Sequence, residues 1–277
     1  MKHQIVVDSC CDNPLELQAT LRATTVPLTL RLGTREFVDD DSLNLPQFMA
    51  EMRGCSDAVG SASPSPAAYQ AAFEQSEGSF SVVLSDKLSG SYSSAVLGKA
   101  LAEENGFRDI HIFDSKSASA GMTLVALKLR ELIDRELERQ SIVDRVEEFI
   151  DSMKTFFVLE RYDNLQKNGR LGKVAGKLIS VMNIRLIMGA DGNGSIALYA
   201  KPRGREQMLD RLVALIRDSG RQTEQETLVI SHCNNPGLAE RLSQKLREAF
   251  NFGRILVVPT GGLSSLYADE GGIVMAF

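Results

Sequence analysis

The sequence lacks any basic excess. Its 31 lysines and arginines are outnumbered by 36 aspartates and glutamates, for a formal net charge of -5. Nucleic-acid binding, which needs a basic face to neutralise phosphates, is disfavoured. The four cysteines, Cys10, Cys11, Cys55 and Cys233, form no C-x-x-C, and two of them are adjacent. That excludes a zinc pattern and a disulfide framework, and it fits a reducing compartment. No apolar run is long enough to span a membrane. The opening MKHQIVVDSC reaches Asp8 directly after Ile5-Val6-Val7, so it lacks the apolar core of a signal peptide. A cytoplasmic location is expected. There is no G-x-x-x-x-G-K-[ST] loop, no glycine fingerprint after the first strand, and no G-x-S-x-G elbow.

What is present describes an ordinary globular protein, 43% hydrophobic and 24% charged. Its 277 residues favour two domains over one. The stretch Ser81 to Val96, SVVLSDKLSGSYSSAV, stands at the centre of the pattern. Val82-Val83-Leu84 reads as a buried strand, and a helical pattern holds from Ala95 to about Glu103. Between them lies the turn Ser89-Gly90-Ser91. A strand, a Ser/Gly turn and a helix N-terminus present free amides and a favourable dipole to an anion. Ser89 and Ser91 add hydroxyl donors, and Gly90 permits close approach to the backbone. The competing reading, a serine-capped helix, is favoured on this stretch alone.

Around it, Gln4 to Val7 reads as a strand and Asn13 to Arg22 as a helix with Asn13 as N-cap and Pro14 at its first position. Thr25 to Leu32 reads as a strand paired with Arg35 to Val38. Asp39-Asp40-Asp41 reads as a solvated turn, because a cation loop needs spaced ligands and a shaping glycine. Leu45 to Arg53 is a helix. Gly60 to Pro66 is a stiff, hydroxyl-rich loop with Ser61 at the end of its extended part, and the helix Ala67 to Gln75 follows. Ile110 to Phe113 is a strand, Ala118 to Arg139 a long helix, and Ile142 to Met153 another. Gly121, inside the long helix, implies close packing. This alternation predicts a mostly parallel α/β sheet over residues 1–154. Its strands end in Asp8-Ser9, Ser85 and Asp114-Ser115, which would gather at the carboxyl edge beside the Ser89 turn.

From residue 155 to 277 the pattern becomes mixed. Phe156 to Leu159 is a strand, followed by Gln166-Lys167-Asn168-Gly169-Arg170-Leu171-Gly172 and a small-residue helix over residues 173–182. Ile184 to Met188 and Ser195 to Ala200 form a hairpin. The basic turn Lys201-Pro202-Arg203 precedes the helix Gln207 to Arg217. Thr227 to Ser231, Arg254 to Val258 and Gly272 to Phe277 are strands, with the helix Pro236 to Phe250 among them. The expected fold class is therefore α/β: a mostly parallel sheet domain, 1–154, then a mixed-sheet domain, 155–277.

Taken in order, IVVDSC, VPLTL with FVDDDSL, SASPSP, LSDKLSGSYSSAV, FDSKSASAG, NLQKNGRLGK, KPRGR, HCNNPGLAERL and GGIVMAF span essentially the whole chain. Together they resemble the DegV family of bacterial fatty-acid-binding proteins. The resemblance implies two α/β domains that enclose a long-chain fatty acid in an apolar tunnel between them. It further implies a protein that is not itself an enzyme and needs no cofactor, presenting the carboxylate to a separate ATP-dependent fatty acid kinase subunit. The missing phosphate loop agrees with an ATP site on that partner.

By the same resemblance, Ser61 takes the place of the threonine in the family's T-S-Q-P-S loop. Ser89 and Gly90 match its S-G-T motif, with Ser91 next. These would bind the carboxylate. Arg170 matches the arginine of G-G-R-I, with Asn168 in place of the first glycine. With Lys201 and Arg203 it is a candidate for partner docking or for steering a phosphate, against the alternative of a solvated basic face. Two departures stand out. Ser61-Ala62-Ser63 replaces T-S-Q, and Tyr267 falls where many relatives carry a histidine. A phenol donates one hydrogen bond and cannot become a cation.

Two other classes compete. A serine hydrolase on Ser89 needs a base within reach; of the histidines, His3 is terminal, His111 lies within a strand and reads as packing, and His232 ends a strand in the other domain. Cys10, at a strand end, reads as a small residue at the pocket rim rather than a nucleophile. A polar-anion or nucleotide-binding regulator could use the same strand–turn–helix site.

Overall fold

The computed structural model describes residues 3–172, 174 and 184–277. The helix expected over 173–182 lies, apart from Val174, outside the described residues. In chain order the first part runs β1 (Gln4–Asp8), α1 (Leu15–Leu21), β2 (Ala23–Val26), β3 (Thr29–Leu32), β4 (Arg35–Val38) and α2 (Leu45–Gly54). It continues through β5 (Val59–Ala62), α3 (Pro66–Phe73), β6 (Gly78–Val83), α4 (Ser91–Glu104), β7 (Asp109–Asp114), α5 (Ala120–Asp134) and α6 (Arg139–Ser152). The later part is β8 (Thr155–Val158), α7 (Asp163–Lys167), β9 (Ile187–Ala190), β10 (Ile196–Ala200), α8 (Gly204–Asp218) and β11 (Thr227–His232). It ends with α9 (Pro236–Ala249), β12 (Arg254–Pro259), α10 (Gly262–Ala268) and β13 (Ile273–Ala276).

Three sheets result. The first is parallel throughout, in the order β2-β1-β6-β7. Every residue of β6 is buried, as expected of a strand covered on both faces. The second is mixed, in the order β10-β9-β8-β13-β11-β12. Here β8 runs antiparallel to both β9 and β13, β13 antiparallel to β11, and β11 parallel to β12. The expected hairpin is present as β9 and β10. A small antiparallel sheet, β4-β3-β5, completes the set.

The helix α5 lies between the two large sheets, against β1 and β6 on one side and β11 and β13 on the other. Its sequence allows this. Ala120 to Ala126 is buried without a break, so the helix has no solvent face over those turns. Met122, Val125 and Leu129 join Val7, Val82 and Phe113 to Val229, Val274 and Ala276 in one apolar cluster. Burying a side chain of this size contributes roughly 1.5–3 kcal/mol.

Several local expectations need correction. Thr25 to Leu32 is two strands rather than one, divided at Pro27, which has no N–H to give to a ladder. Leu28, just beyond, bonds instead to the Ser9 hydroxyl and to the Asp39 amide. Asn13 does not cap α1; Pro14 holds the cap position, with no side-chain bond. The long helix expected over 118–139 stops at Asp134, and Glu136 takes a left-handed φ of 54° before α6 begins. Ser61, expected in a loop, lies in β5, paired with Leu30 of β3.

Gly121 shows why α5 can sit so close to the mixed sheet. A Cβ there would stand 2.0 Å from Ser117 Oγ and 2.9 Å from Thr155 Oγ1. Those two hydroxyls are buried and bonded to each other at 2.8 Å. Gly121→Ala is therefore expected to destabilise the fold by about 1–3 kcal/mol, against a helix-propensity gain of about 1 kcal/mol. Urea denaturation of both proteins checks this; a variant more stable than the parent would refute the packing argument.

Candidate functional site

The carboxyl ends of β1, β6 and β7 open into a cleft facing the mixed sheet. Beyond those ends, Cys10, Leu84 and Ser117 form one wall. Phe157, Ile196 and Val274 of the mixed sheet form the other, and Leu263, Ser264 and Tyr267 of α10 close one side. The lining is mostly apolar, with polar groups concentrated in a few places. Such crevices beyond the carboxyl ends of parallel strands are the usual ligand positions in α/β sheets.

Ser61, Ser89, Arg170 and Tyr267 all line this cleft, although they come from four separate segments. The Ser61 and Tyr267 hydroxyls are 3.0 Å apart. The Arg170 guanidinium lies 5.2 Å above the Tyr267 ring, a cation–π distance. Its Nε donates to the Leu88 carbonyl at 3.2 Å and its Nη1 to the Asn168 carbonyl at 3.0 Å. Burial raises the Tyr267 pKa, with Ser61 and Arg170 acting the other way, so the phenol is a neutral donor at physiological pH. Asn168 Nδ2 donates to the Val59 carbonyl at 2.8 Å, which ties α7 to β5 beside Ser61.

Gly90 is the N-cap of α4, has no side chain to cap the helix, and is not part of the cleft lining. The sequence placed the helix start at Ala95; it lies at Ser91. Ser89 Oγ accepts from the Ser91 amide at 3.2 Å and stands 3.1 Å from Ser91 Oγ. A Cβ on Gly90 would come within 3.1 Å of Ser63 Oγ, so the turn is tight.

The remaining candidates lie elsewhere. Ser91 is fully buried behind Ser89 and does not line the cleft. Lys201 and Arg203 are exposed at the approach to α8, outside the cleft wall. Of the three basic candidates, only Arg170 is part of the lining. His3, His111 and His232 are absent from it as well. His3 packs on Phe80, His111 pairs with Glu147, and His232 accepts from the Asn235 amide. Ser264 and Phe157 line the cleft without having been singled out; α10 carries no cap motif or apolar periodicity that would have announced it.

Beneath the cleft lie three buried carboxyls. Asp8 accepts from the Cys10 amide at 3.0 Å and the Leu84 amide at 2.8 Å. Asp12 accepts from the Ser119 hydroxyl and from the Gly261 amide at 2.8 Å. Asp39 accepts from the Leu263 amide at 3.0 Å. The expectation of a solvated Asp39-Asp40-Asp41 turn is therefore half right. Asp40 is exposed and holds Ser42 in a tight turn, whereas Asp39 is buried at the N-terminus of α10. Among the described residues, no group of three or more His, Cys, Asp or Glu side chains could hold a metal ion. No described helix is long and apolar enough to cross a membrane. Burial pushes the Cys10 and Cys11 thiols up, so neither is a thiolate.

Fold and cleft together define an α/β protein whose parallel and mixed sheets face each other across a mostly apolar ligand cleft. The chain belongs to the DegV family: the family model, described as "Uncharacterised protein, DegV family", matches residues 2–277. A DegV domain-containing protein of Streptococcus pyogenes serotype M18 is 37% identical over 280 residues, covering 100% of this chain and 99% of the relative. A DegV-family crystal structure from Ruminococcus gnavus, refined with vaccenic acid, is 34% identical. It superposes with a TM-score of 0.95 over 100% of both chains. The Streptococcus pneumoniae fatty acid kinase (Fak) B3 protein loaded with linoleic acid is 35% identical. Its TM-score is 0.90, over 100% of this chain and 99% of that one.

The Asp39 carboxyl carries a testable consequence. Burial raises its pKa to about 6, and the Asp12 charge adds to the rise; bonds from Ser9, Leu263 and Gly262 oppose it. The unfolded value is about 3.9, so the folded state holds this proton more tightly. The group is most favourable below about pH 4 and becomes less so as the pH rises through 6. The stability of the parent relative to Asp39→Asn should therefore fall by about 2–3 kcal/mol between pH 4 and pH 7. Denaturant titrations of both proteins across that range check it. A flat or rising difference would contradict the assignment.

Proposed function

We propose that this protein is a fatty-acid carrier built from two units, residues 1–154 and 155–277, with the acyl chain in the cleft between them. The observation that carries this reading is the make-up of the cleft. Its walls are mostly apolar, while the neutral hydroxyls of Ser61, Ser89 and Tyr267 line it. Each methylene taken out of water contributes roughly 0.8 kcal/mol. The chain would supply affinity and the donors would fix the carboxylate. Relatives of closely similar fold that hold vaccenic or linoleic acid support the same reading.

The protein would perform no chemistry of its own. A cytoplasmic, ATP-dependent kinase subunit would phosphorylate the presented carboxyl group. That partner is inferred from the likeness to the Fak B3 protein. Arg170 would stand beside the head group, and Lys201 and Arg203 would belong to the surface met by the partner. The apolar lining speaks against a nucleotide regulator. A hydrolase would need an imidazole near Ser89, and no histidine lines the cleft among the described residues.

Native mass spectrometry of the purified protein, followed by denaturation, should release one long-chain fatty acid per chain. A protein that stays lipid-free after incubation with a fatty-acid mixture would rule the reading out. Ser89→Ala removes one donor to a charged group, worth about 1.5–3 kcal/mol. It should weaken binding of a fluorescent C18 fatty-acid analogue some ten- to a hundred-fold with the fold intact. Undiminished affinity would move the head group elsewhere in the cleft.

A further inference from the structure

The cleft is lined by a second pair of hydroxyls that the head-group site does not use. The first pair is Ser61 with Tyr267. The second is Ser117 with Thr155, whose Oγ and Oγ1 atoms are 2.8 Å apart. These two residues are only 3% and 6% exposed, yet both belong to the cleft wall. Within a pair of hydroxyls, one hydrogen is spent on the other oxygen. The second hydrogen of the Ser117–Thr155 pair has no acceptor among the described residues. Two neighbouring hydroxyls of the lining differ in this respect. Ser119 donates to the Asp12 carboxyl, and Ser264 to the Cys10 carbonyl.

A buried hydroxyl hydrogen without an acceptor is costly, and native structures contain few. Packing does not require it here, because alanine and valine would give nearly the same shapes with no polar atom to satisfy. The backbone does not require it either. The Ser117 carbonyl accepts from the Ser85 amide at 3.0 Å and the Ser115 hydroxyl at 3.1 Å, and Thr155 is paired with Ala276 in the mixed sheet. The pair also has a definite place along the cleft. Thr155, Phe157 and Leu159 line it from alternate positions, the period of a strand. At about 3.4 Å per residue, Thr155 stands about 14 Å from Leu159. From Leu159 the chain runs on to α7 and Arg170, whose guanidinium lies over Tyr267. The second pair therefore sits well down the cleft from the head-group donors, beside the middle or far part of an acyl chain.

We propose that Ser117 and Thr155 form a second polar subsite, and that the ligand it takes is a long-chain fatty acid bearing a hydroxyl on its chain. This rests on the carrier reading above and names the class of acid. A hydroxyl both donates and accepts. The ligand's oxygen would accept the spare hydrogen of the pair, and its own hydrogen would go to the other oxygen, closing a ring of three hydroxyls. A methylene can do neither. A hydroxyl placed anywhere else on the chain would meet apolar wall and stay unpaired.

The test is displacement of a fluorescent C18 fatty-acid analogue by stearate and by monohydroxystearates, with the hydroxyl moved stepwise from mid-chain to the methyl end. One isomer, or two adjacent ones, should bind the parent at least as tightly as stearate. The others should bind about five- to a hundred-fold more weakly, the cost of burying an unpaired hydroxyl. In the double variant Ser117→Ala, Thr155→Val the favoured isomer should fall to the level of the others, while stearate keeps its affinity within about twofold. Thr155→Val alone serves if the double variant does not fold, and the isomer profile of the parent needs no variant at all. Stearate binding with every isomer similarly weakened would overturn the proposal and leave the carrier reading standing. A favoured isomer that keeps its advantage in the variants would overturn it too. A parent that binds neither stearate nor any isomer would overturn both readings.

Discussion

The arrangement depends on two buried carboxylates from the first part of the chain seated on the open N-terminus of a short helix from the last part. Asp12 takes the Gly261 amide and Asp39 the Leu263 amide, and α10 has no side-chain cap of its own. Helix N-termini favour negative charge, and unpaired amides there are costly when buried. Each side therefore satisfies the other. The pairing holds α10 against the first sheet, and α10 carries Ser264 and Tyr267 into the cleft. On its other side, Asn164 Nδ2 donates to the Leu266 carbonyl. Asn168, one turn on, holds Val59 of β5. Following these bonds round returns to Ser61, 3.0 Å from Tyr267. The two hydroxyls meet because four segments are tied in a ring.

The polar part of the cleft is built mainly from neutral groups. Arg170 is a cation of the lining, but two backbone carbonyls and an aromatic face already engage it. In the proposed carrier this would set the head group in a cradle of dipoles rather than in an ion pair. A carboxylate held by neutral donors keeps charge-assisted hydrogen bonds but lacks the added attraction of a fixed cation, so it leaves more easily than one held in an ion pair. That suits a protein whose cargo must be handed on.

Much of this fold was legible from pattern. The apolar runs at β1, β6 and β7, with helices between them, carry the parallel sheet, and the glycine-rich loop after Met188 carries the hairpin. What stayed hidden has physical causes. β5 reads as a loop because Gly60, Ser61 and the prolines beyond it are poor strand formers, and only pairing with β3 makes it extended. α10 is seven residues of small and mixed side chains, too short for periodicity to register. Asp39 looks like any acidic turn until a helix from more than two hundred residues away arrives on it. Ser61, Ser89, Arg170 and Tyr267 were singled out, and they share one cleft. That Ser91 faces inward, and that Lys201 and Arg203 stand outside, depends on side-chain direction, which motif order does not contain.

The position of β13 bears on how the chain is made. It is the last of the six mixed-sheet strands in sequence, yet it lies inside the sheet, between β8 and β11. During synthesis from the N-terminus, β8 and β11 emerge with open edges and cannot be joined until residues 273–276 leave the ribosome. Open strand edges are templates for wrong pairing. α5, emerging earlier, would have its mixed-sheet face uncovered over the same interval. The strands of the parallel sheet are all available early, whereas the mixed sheet, and with it the cleft, is complete only once β13 has joined.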